Sequence, residues 1–306
     1  MTRSKLIQPL FFLVAAALWL GSDLFPAEGW ALGQADMQGL FYPWWEYVRN
    51  SLFRSQIPFW DPRHFAGTPF LHNPQIAFFY PPTWIVFALP INVGISFYYL
   101  FHLWLAGWGM SRLLDELSAK SRYEVTLLGM RIGSLAAGLS FMLGGFFATR
   151  IYAGHVGFLA THIWLPWLLV ATMQGIGQKK WQYVAPTAFF WSLAILAGHT
   201  TTLLYLGVIW GLFMIWFVMI DPGRNTRFSI RFGVAGLFLG LWVSAVQLLP
   251  TLQLIRHSGR LSQGGYDFAT RFSLPWSQLI SLIIPEWFGE PTHIGYWGAE
   301  NFEELT

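Results

Sequence analysis

One carboxylate, Asp36, follows soon after the first apolar stretch of the chain. A carboxylate held beside an apolar surface is costly in free energy unless it is paired or used. Asp36 is therefore a candidate general base or metal ligand. The alternative interpretation is an exposed helix cap or a surface salt bridge. Asp23 stands at the end of the apolar stretch itself, where a cap is the better interpretation.

Three further polar side chains stand in short connections between apolar segments. Arg150 and His155 share the string Arg-Ile-Tyr-Ala-Gly-His, and His199 stands in a Gly-His-Thr string. An arginine and histidines beside an apolar groove suit an anionic group such as a phosphate. The alternative is that the arginine only extends its charged end to water and that the histidines lie at a membrane interface.

Arg256 and Arg260 form a second cationic pair near the end of the chain. Their spacing of i and i+4 places them on one face if this segment is helical. They are a further candidate site for an anionic group, and contact with lipid headgroups is the alternative.

Composition determines the class of protein that must position these groups. Of 306 residues, 55% are hydrophobic, 19% are aromatic and only 11% are charged. A soluble domain carries about 25% charged residues. These values predict an all-α polytopic membrane protein and exclude a soluble enzyme, a secreted domain and a disordered chain. The absence of cysteine excludes disulfides, thiolate metal sites and thiol nucleophiles.

Apolar segments predict about seven transmembrane helices, since a helix needs roughly 20 apolar residues to cross a bilayer. The first is a retained signal anchor within residues 1–22. The others are predicted near residues 94–114, 128–148, 156–175, 182–198, 200–220 and 229–250. The run 84–91 is too short to cross and is interpreted as interfacial or re-entrant. Glycines within residues 138–145 indicate close helix packing.

Lysine and arginine alternate between the connections in a way that predicts orientation. The alternation predicts a protein of the cell membrane whose N-terminus lies in the cytoplasm. Residues 23–82 and 251–306 then lie outside, flanking a transmembrane bundle at 83–250. Eleven of the 15 acidic residues fall on the outer side. Any polar site is therefore predicted to be extracytoplasmic.

The first outer segment, residues 23–82, is rich in tryptophan, tyrosine and proline. Such a composition is typical of a compact cap with its aromatic rings at headgroup depth, and not of a flexible linker. The alternative is an aromatic belt without chemistry.

Several strings occur in a recognisable order along the chain. They are Asp36, Pro58-Phe59-Trp60, Gly67-Thr68-Pro69, Asn73-Pro74-Gln75, Gly154-His155, Trp164-Leu165-Pro166, Gly198-His199, Gln247-Leu248-Leu249-Pro250, Ser258-Gly259-Arg260, Tyr266-Asp267-Phe268, Ser273-Leu274-Pro275 and Tyr296-Trp297-Gly298. In order and spacing the chain resembles the YfhO family, within the GT-C class of membrane glycosyltransferases.

This resemblance implies a GT-C-like fold and an enzyme that uses a polyprenyl-phosphate sugar as donor. Asp36 would be the catalytic base, and the binding residues for the lipid phosphate would be Arg150, His155, His199, Arg256 and Arg260. No Asp-x-Asp motif occurs, so no metal pair is implied and the need for a divalent metal stays open. The acceptor would be an envelope polymer, a glycolipid or a protein. Family members are usually longer, so a truncated member or fragment is expected.

Two other functions remain open at this point. A transporter or flippase for the same lipid class usually places polar groups near the bilayer midplane, whereas the charges here gather at the outer face. A non-catalytic scaffold would use the aromatic loops to bind a partner protein.

Overall fold

The structure is a computed structural model, and it describes residues 4–64, 66–119, 125–127, 129–220, 225–259, 266, 270, 273, 275–289 and 295–298. The described part of the chain is mostly helical, with 73% helix and little strand. Two compact units divide it, the first ending at Leu252 and the second beginning at Gln253.

Twelve α-helices occur among the described residues. They are α1 Ser4–Leu20, α2 Tyr42–Phe53, α3 Trp84–Ala88, α4 Ile91–Leu117, α5 Ile132–Leu143, α6 Gly145–Ala153, α7 Val156–His162, α8 Trp164–Gln178, α9 Val184–Leu196, α10 Thr200–Met219, α11 Thr226–Val243 and α12 Ala245–His257. A π-helical turn spans Met37–Phe41, and 3-10 turns span Gly21–Leu24, Pro74–Ile76, Pro81–Thr83, Trp181–Tyr183 and Trp276–Leu282.

Two short antiparallel hairpins complete the described structure. In the first, β1 Trp60–Asp61 pairs with β2 Thr68–Pro69. In the second, β3 Thr126–Leu127 pairs with β4 Met130–Arg131. Neither hairpin is long enough to form a sheet core, so helix packing carries the fold.

Within the described ranges, five stretches of helix are long and apolar enough to cross a membrane, and they support a membrane protein. They are Leu6–Leu24, Ile132–Ala153, Val156–Gln178, Thr200–Met219 and Thr226–Val243. Each coincides with one of the seven predicted spans. The other two predictions fall on α4, which has 27 residues, and on α9, which has only 13. The number of seven spans therefore stays a prediction.

Small residues allow close helix packing where the sequence predicted it. The α-carbon of Gly138 in α5 faces the ring of Phe12 from α1 and the carbonyl of Gly107 from α4. Any larger side chain at Gly138 would collide with that ring. At Gly144 the backbone turns extended, and this residue divides the predicted span 128–148 into α5 and α6.

Buried side chains of residues 23–82 belong to the same core as the helix bundle. Trp45 and Tyr80 are buried, and the indole N–H of Trp45 donates to the carbonyl of Ile76 at 3.0 Å. Other large apolar side chains of this segment are exposed, namely Phe25, Trp30, Phe53, Ile57, Phe59 and Trp60. The packed interior argues against a flexible linker, and the location of this segment on the membrane surface stays a prediction.

Candidate functional site

The backbone around Asp36 rests on the turn that joins α6 to α7. The N–H of Gln34 donates to the carbonyl of Tyr152 at 2.7 Å. Gly154 ends α6 in the left-handed region, with a φ of +79°. A β-carbon at Gly154 would collide with the N–H of Met37 and the carbonyl of Gln34. Glycine is therefore needed twice at this position, for its backbone angle and for the close approach.

The carboxylate of Asp36 is not used as a helix cap. Asp36 precedes the π-helical turn Met37–Phe41, but its side chain makes no capping hydrogen bond. Ala35, just before it, has a φ of +41°, which is uncommon for a residue with a β-carbon. Backbone strain and π-helical turns both cluster at functional sites. This geometry removes the cap interpretation that the sequence left open.

Asp36 instead contacts His155. Its Oδ2 lies 3.5 Å from Nε2 of His155, with the two side chains 45% and 32% exposed. On the other edge of the imidazole ring, Nη1 of Arg150 lies 2.8 Å from Nδ1. A guanidinium can only donate hydrogen bonds, so Nδ1 must be the acceptor. The ring proton of neutral His155 is therefore on Nε2, the atom that faces Asp36.

His199 joins this group through an aromatic ring. The guanidinium of Arg150 lies 4.6 Å from the ring centroid of Phe158, and the imidazole of His199 lies 5.0 Å from the same centroid. Nδ1 of His199 accepts from the N–H of Thr202 at 3.2 Å, which fixes the ring at the start of α10. Burial lowers the pKa of His199, and the positive charge of Arg150 lowers it further.

The position of His199 depends on a second close backbone contact. Gly198 has a φ of +86°, and a β-carbon there would collide with the carbonyl of Pro74. Three residues before Pro74, the carbonyl of Leu71 accepts a hydrogen bond of 3.1 Å from the side-chain amide of Gln247. The hydroxyl of Thr251 donates to the carbonyl of His72 at 3.0 Å. Strings that are far apart in the sequence thus meet in the first unit.

Four predicted site residues are therefore brought together. Asp36, Arg150, His155 and His199 come from three separate connections and form one cluster, which we call the Asp36 cluster. It combines one carboxylate, one guanidinium and two imidazoles around an aromatic ring. Such a set can accept a proton and bind an anion side by side.

Two residues of this region were not predicted. Phe158 supplies the shared ring, and the imidazole of His162 stacks near it, with centroids 6.4 Å apart and planes at 9°. His162 also contacts the rings of Phe141 and Phe146. His155, Phe158 and His162 follow one another at three- and four-residue spacings, so one helical face was the available signal.

The two C-terminal arginines are placed differently. Arg256 lies exposed in the last turn of α12, within the second unit. Arg260 falls outside the described residues. The proposed role of this pair in binding phosphate stays a prediction.

Asp61 is the buried acid of the first segment, and its partners are local. The guanidinium of Arg63 donates to its two oxygens at 2.9 and 3.1 Å, and Nδ1 of His64 lies 2.8 Å from Oδ2. The bonds from Arg63 hold the pKa of Asp61 well below its usual range. Arg63 also stacks on the ring of Tyr47 at 4.0 Å. These contacts give the carboxylate of Asp61 a structural role in its own loop.

Within the part of the chain that the structure describes, no group of three or more histidine and acidic side chains is arranged to hold a metal ion. The Asp36 cluster places one carboxylate and a guanidinium on opposite edges of one imidazole ring.

Comparison with known proteins adds no information about this site. No family model matches the chain, no curated protein matches it, and no solved structure matches it.

Proposed function

We propose that this protein is an integral membrane glycosyltransferase that moves a sugar from a polyprenyl-phosphate donor to an acceptor outside the cytoplasm. Asp36 is the general base of the reaction. Arg150, with His155 and His199 beside it, binds the phosphate of the donor. The resemblance to the GT-C class supplies the reaction, and the chemistry of the Asp36 cluster is compatible with it.

The observation that carries the proposal is the arrangement of Asp36, His155 and Arg150 in a row. A carboxylate that is 45% exposed remains open to an acceptor hydroxyl. The cation beyond the imidazole can bind the monoanionic phosphodiester of the donor, and the second negative charge that develops as the lipid phosphate leaves, without neutralising the carboxylate directly. A base and an anion site at this separation are what a displacement at a phosphate-bearing carbon needs.

The proposed step is one direct displacement. The acceptor oxygen attacks the anomeric carbon of the sugar while its proton passes to Asp36. The bond from that carbon to the phosphate oxygen breaks, and its electron pair leaves with the lipid phosphate. Arg150 stabilises the charge that develops there. His155 positions the carboxylate through its Nε2 hydrogen. A single displacement inverts the configuration at the anomeric carbon.

The test uses membranes that contain the protein, incubated with radiolabelled polyprenyl-phosphate sugars. Transfer of label to a polymer, glycolipid or protein supports the proposal and names the acceptor. Label that crosses the membrane while still attached to its lipid indicates a flippase instead. Transfer that is equal in membranes without the protein contradicts the proposal.

The orientation belongs to the same proposal and has its own test. We propose a multi-pass protein of about seven spans, with a cytoplasmic N-terminus and the Asp36 cluster on the outer face. Reporter fusions after residues 60, 153 and 290 should then report the outside, and fusions after 118, 179 and 226 the inside. An inside signal at residue 60 would put Asp36 in the wrong compartment for this donor chemistry.

A further inference from the structure

A cavity of about 510 Å³ lies among α3, α4, α8 and α9. Its walls include Pro81, Phe101, Trp108, Trp164, Trp167 and Phe190, and every residue that lines it is apolar. The volume is within the range of about 300–1,000 Å³ that is usual for ligand sites. None of the residues of the Asp36 cluster lines this cavity, so it is a separate feature of the first unit.

Two of the three tryptophans in the wall, Trp164 and Trp167, direct their polar edges elsewhere. The indole N–H of Trp164 donates to the hydroxyl of Tyr80 at 2.9 Å. The indole N–H of Trp167 donates to the carbonyl of Leu105 at 3.0 Å. Because both donors are already satisfied, the wall offers a ligand no hydrogen bond from either ring. Because the other lining side chains are apolar, a polar ligand would lose most of its hydration here and gain few partners.

The walls are also held in place before any ligand arrives. The ring of Tyr80 is fixed by a second bond, 2.9 Å long, between its hydroxyl and Nε2 of His102. Phe190 stacks on Trp164 with centroids 6.0 Å apart, and Trp108 meets Trp167 edge to face at 4.8 Å. A preformed wall lowers the entropy that binding must offset.

The cavity continues onto the surface of the helix bundle. Phe189, which lines it, is 56% exposed. Leu105 and Leu193 lie at the buried end. The wall helix α8 belongs to Val156–Gln178, one of the five stretches able to cross a membrane. In the multi-pass membrane protein proposed above, this opening is expected to meet the hydrocarbon of the bilayer.

We propose that the cavity binds one acyl chain of a bilayer phospholipid, with the headgroup left outside because no lining residue carries a charge. An unpaired peptide strand does not fit, since its backbone groups would have no partners in these walls. A whole helix, about 10–12 Å wide, does not fit either. The inference is independent of the transfer reaction proposed for Asp36.

The first experiment uses the unaltered full chain in vesicles that contain phosphatidylcholine with a photoreactive diazirine on its acyl chain. We expect crosslinks at Phe189, Phe190 and Trp167 that saturate as the fraction of labelled lipid increases. Crosslinks at Leu204 on the exposed face of α10 should rise linearly, as for bulk lipid. Linear behaviour at both places would overturn the proposal.

The second experiment fills the cavity from two different walls. Leu193→Trp and Ile85→Trp each place a large side chain in the space, and Leu204→Trp is the matched control on α10. After purification in detergent, native mass spectrometry should find phospholipid on the wild type and the control, and about tenfold less on either filled variant. Equal retention by a filled, well-folded variant would overturn the proposal, as would a prenyl lipid as the retained species.

Discussion

Gln34 and Tyr152 are joined by a backbone hydrogen bond of 2.7 Å, although they belong to connections that are far apart in the sequence. This bond fixes the backbone that leads to Asp36 against the end of α6, which carries Arg150 and is followed by His155. The acid and the cation of the candidate site are therefore positioned by main-chain contacts, and the packing of the helices alone does not determine their separation.

Gly154→Ala should disturb this arrangement without touching a charged group. An added β-carbon would collide with Met37 and Gln34, and a φ of +79° costs a residue other than glycine about 1–3 kcal/mol. We expect sugar transfer to fall about tenfold or more. Gly211→Ala, in the open on α10, is the control and should leave transfer unchanged. Full activity of Gly154→Ala would mean that sugar transfer does not need the close contact between Gly154 and the backbone around Asp36.

Asp36→Asn keeps the shape of the side chain but removes its basicity. If Asp36 is the general base, the turnover of labelled donor should fall by roughly 10²–10⁴-fold. Donor binding, measured by equilibrium retention of the lipid, should change little. Asp23→Asn is the matched control, because Asp23 is an exposed acid of the same segment. Near-normal turnover by Asp36→Asn would remove this residue from the mechanism.

Arg150→Ala should weaken the binding of the lipid phosphate. A hydrogen bond to a charged group contributes about 1.5–3 kcal/mol, so we expect the donor concentration for half-maximal rate to rise by about ten- to a hundredfold. Arg150→Lys keeps the charge but loses the planar stacking on Phe158, and it should restore only part of the affinity. A fall in rate alone, with the donor affinity unchanged, would contradict phosphate binding by Arg150.

The pKa of His199 offers a readout that needs no substrate. Burial and the neighbouring charge of Arg150 lower this pKa below 6.5, so the neutral ring is favoured in the folded protein. Arg150→Ala removes one of these causes and should shift the pKa upward, as measured by NMR titration of labelled histidine. Because the unfolded chain binds the proton more readily, this group reduces folded stability as pH falls below about 6.5. No shift in the variant would mean that Arg150 and His199 are not coupled.

Asp61→Ala should affect stability and leave the chemistry intact. The substitution leaves Arg63 without its buried partner, and we expect a loss of about 2 kcal/mol, the usual range for hydrogen bonds to charged groups. Limited proteolysis should then cut residues 54–67 faster than in the wild type. Since the pKa of Asp61 is lowered in the folded state, its contribution is present above about pH 4 and is lost as pH falls through the acid range. Loss of transfer in a protein that resists proteolysis would instead assign Asp61 to the reaction.

The sequence predicted the helical class and where five of the apolar stretches lie, because length and hydropathy alone determine whether a helix can cross a bilayer. The alternation of Lys and Arg also predicted that one side of the membrane holds Asp36, Arg150, His155 and His199. Their mutual contacts depend on Gly154 and Gly198, whose β-carbon clashes become visible only with the partner backbone in place.

Other features could not be predicted for different reasons. Helix α9 is short and mostly buried, so its apolar composition reflects protein packing and not only contact with lipid. The ring of Phe158 was one of 28 phenylalanines, and nothing in its residue type distinguished it. The acid Asp61 is bound by Arg63 and His64, two and three residues away, and the residue types alone did not predict these contacts.

The imidazole between Asp36 and Arg150 has one lone pair, on Nδ1, and Arg150 uses it. A proton that arrived at that nitrogen would have to displace the guanidinium, since both need the same electron pair. The ring thus links the carboxylate and the guanidinium through opposite edges, with one hydrogen toward Asp36 and one lone pair toward Arg150. A substitution at any one of these three residues is therefore expected to change the orientation of the other two.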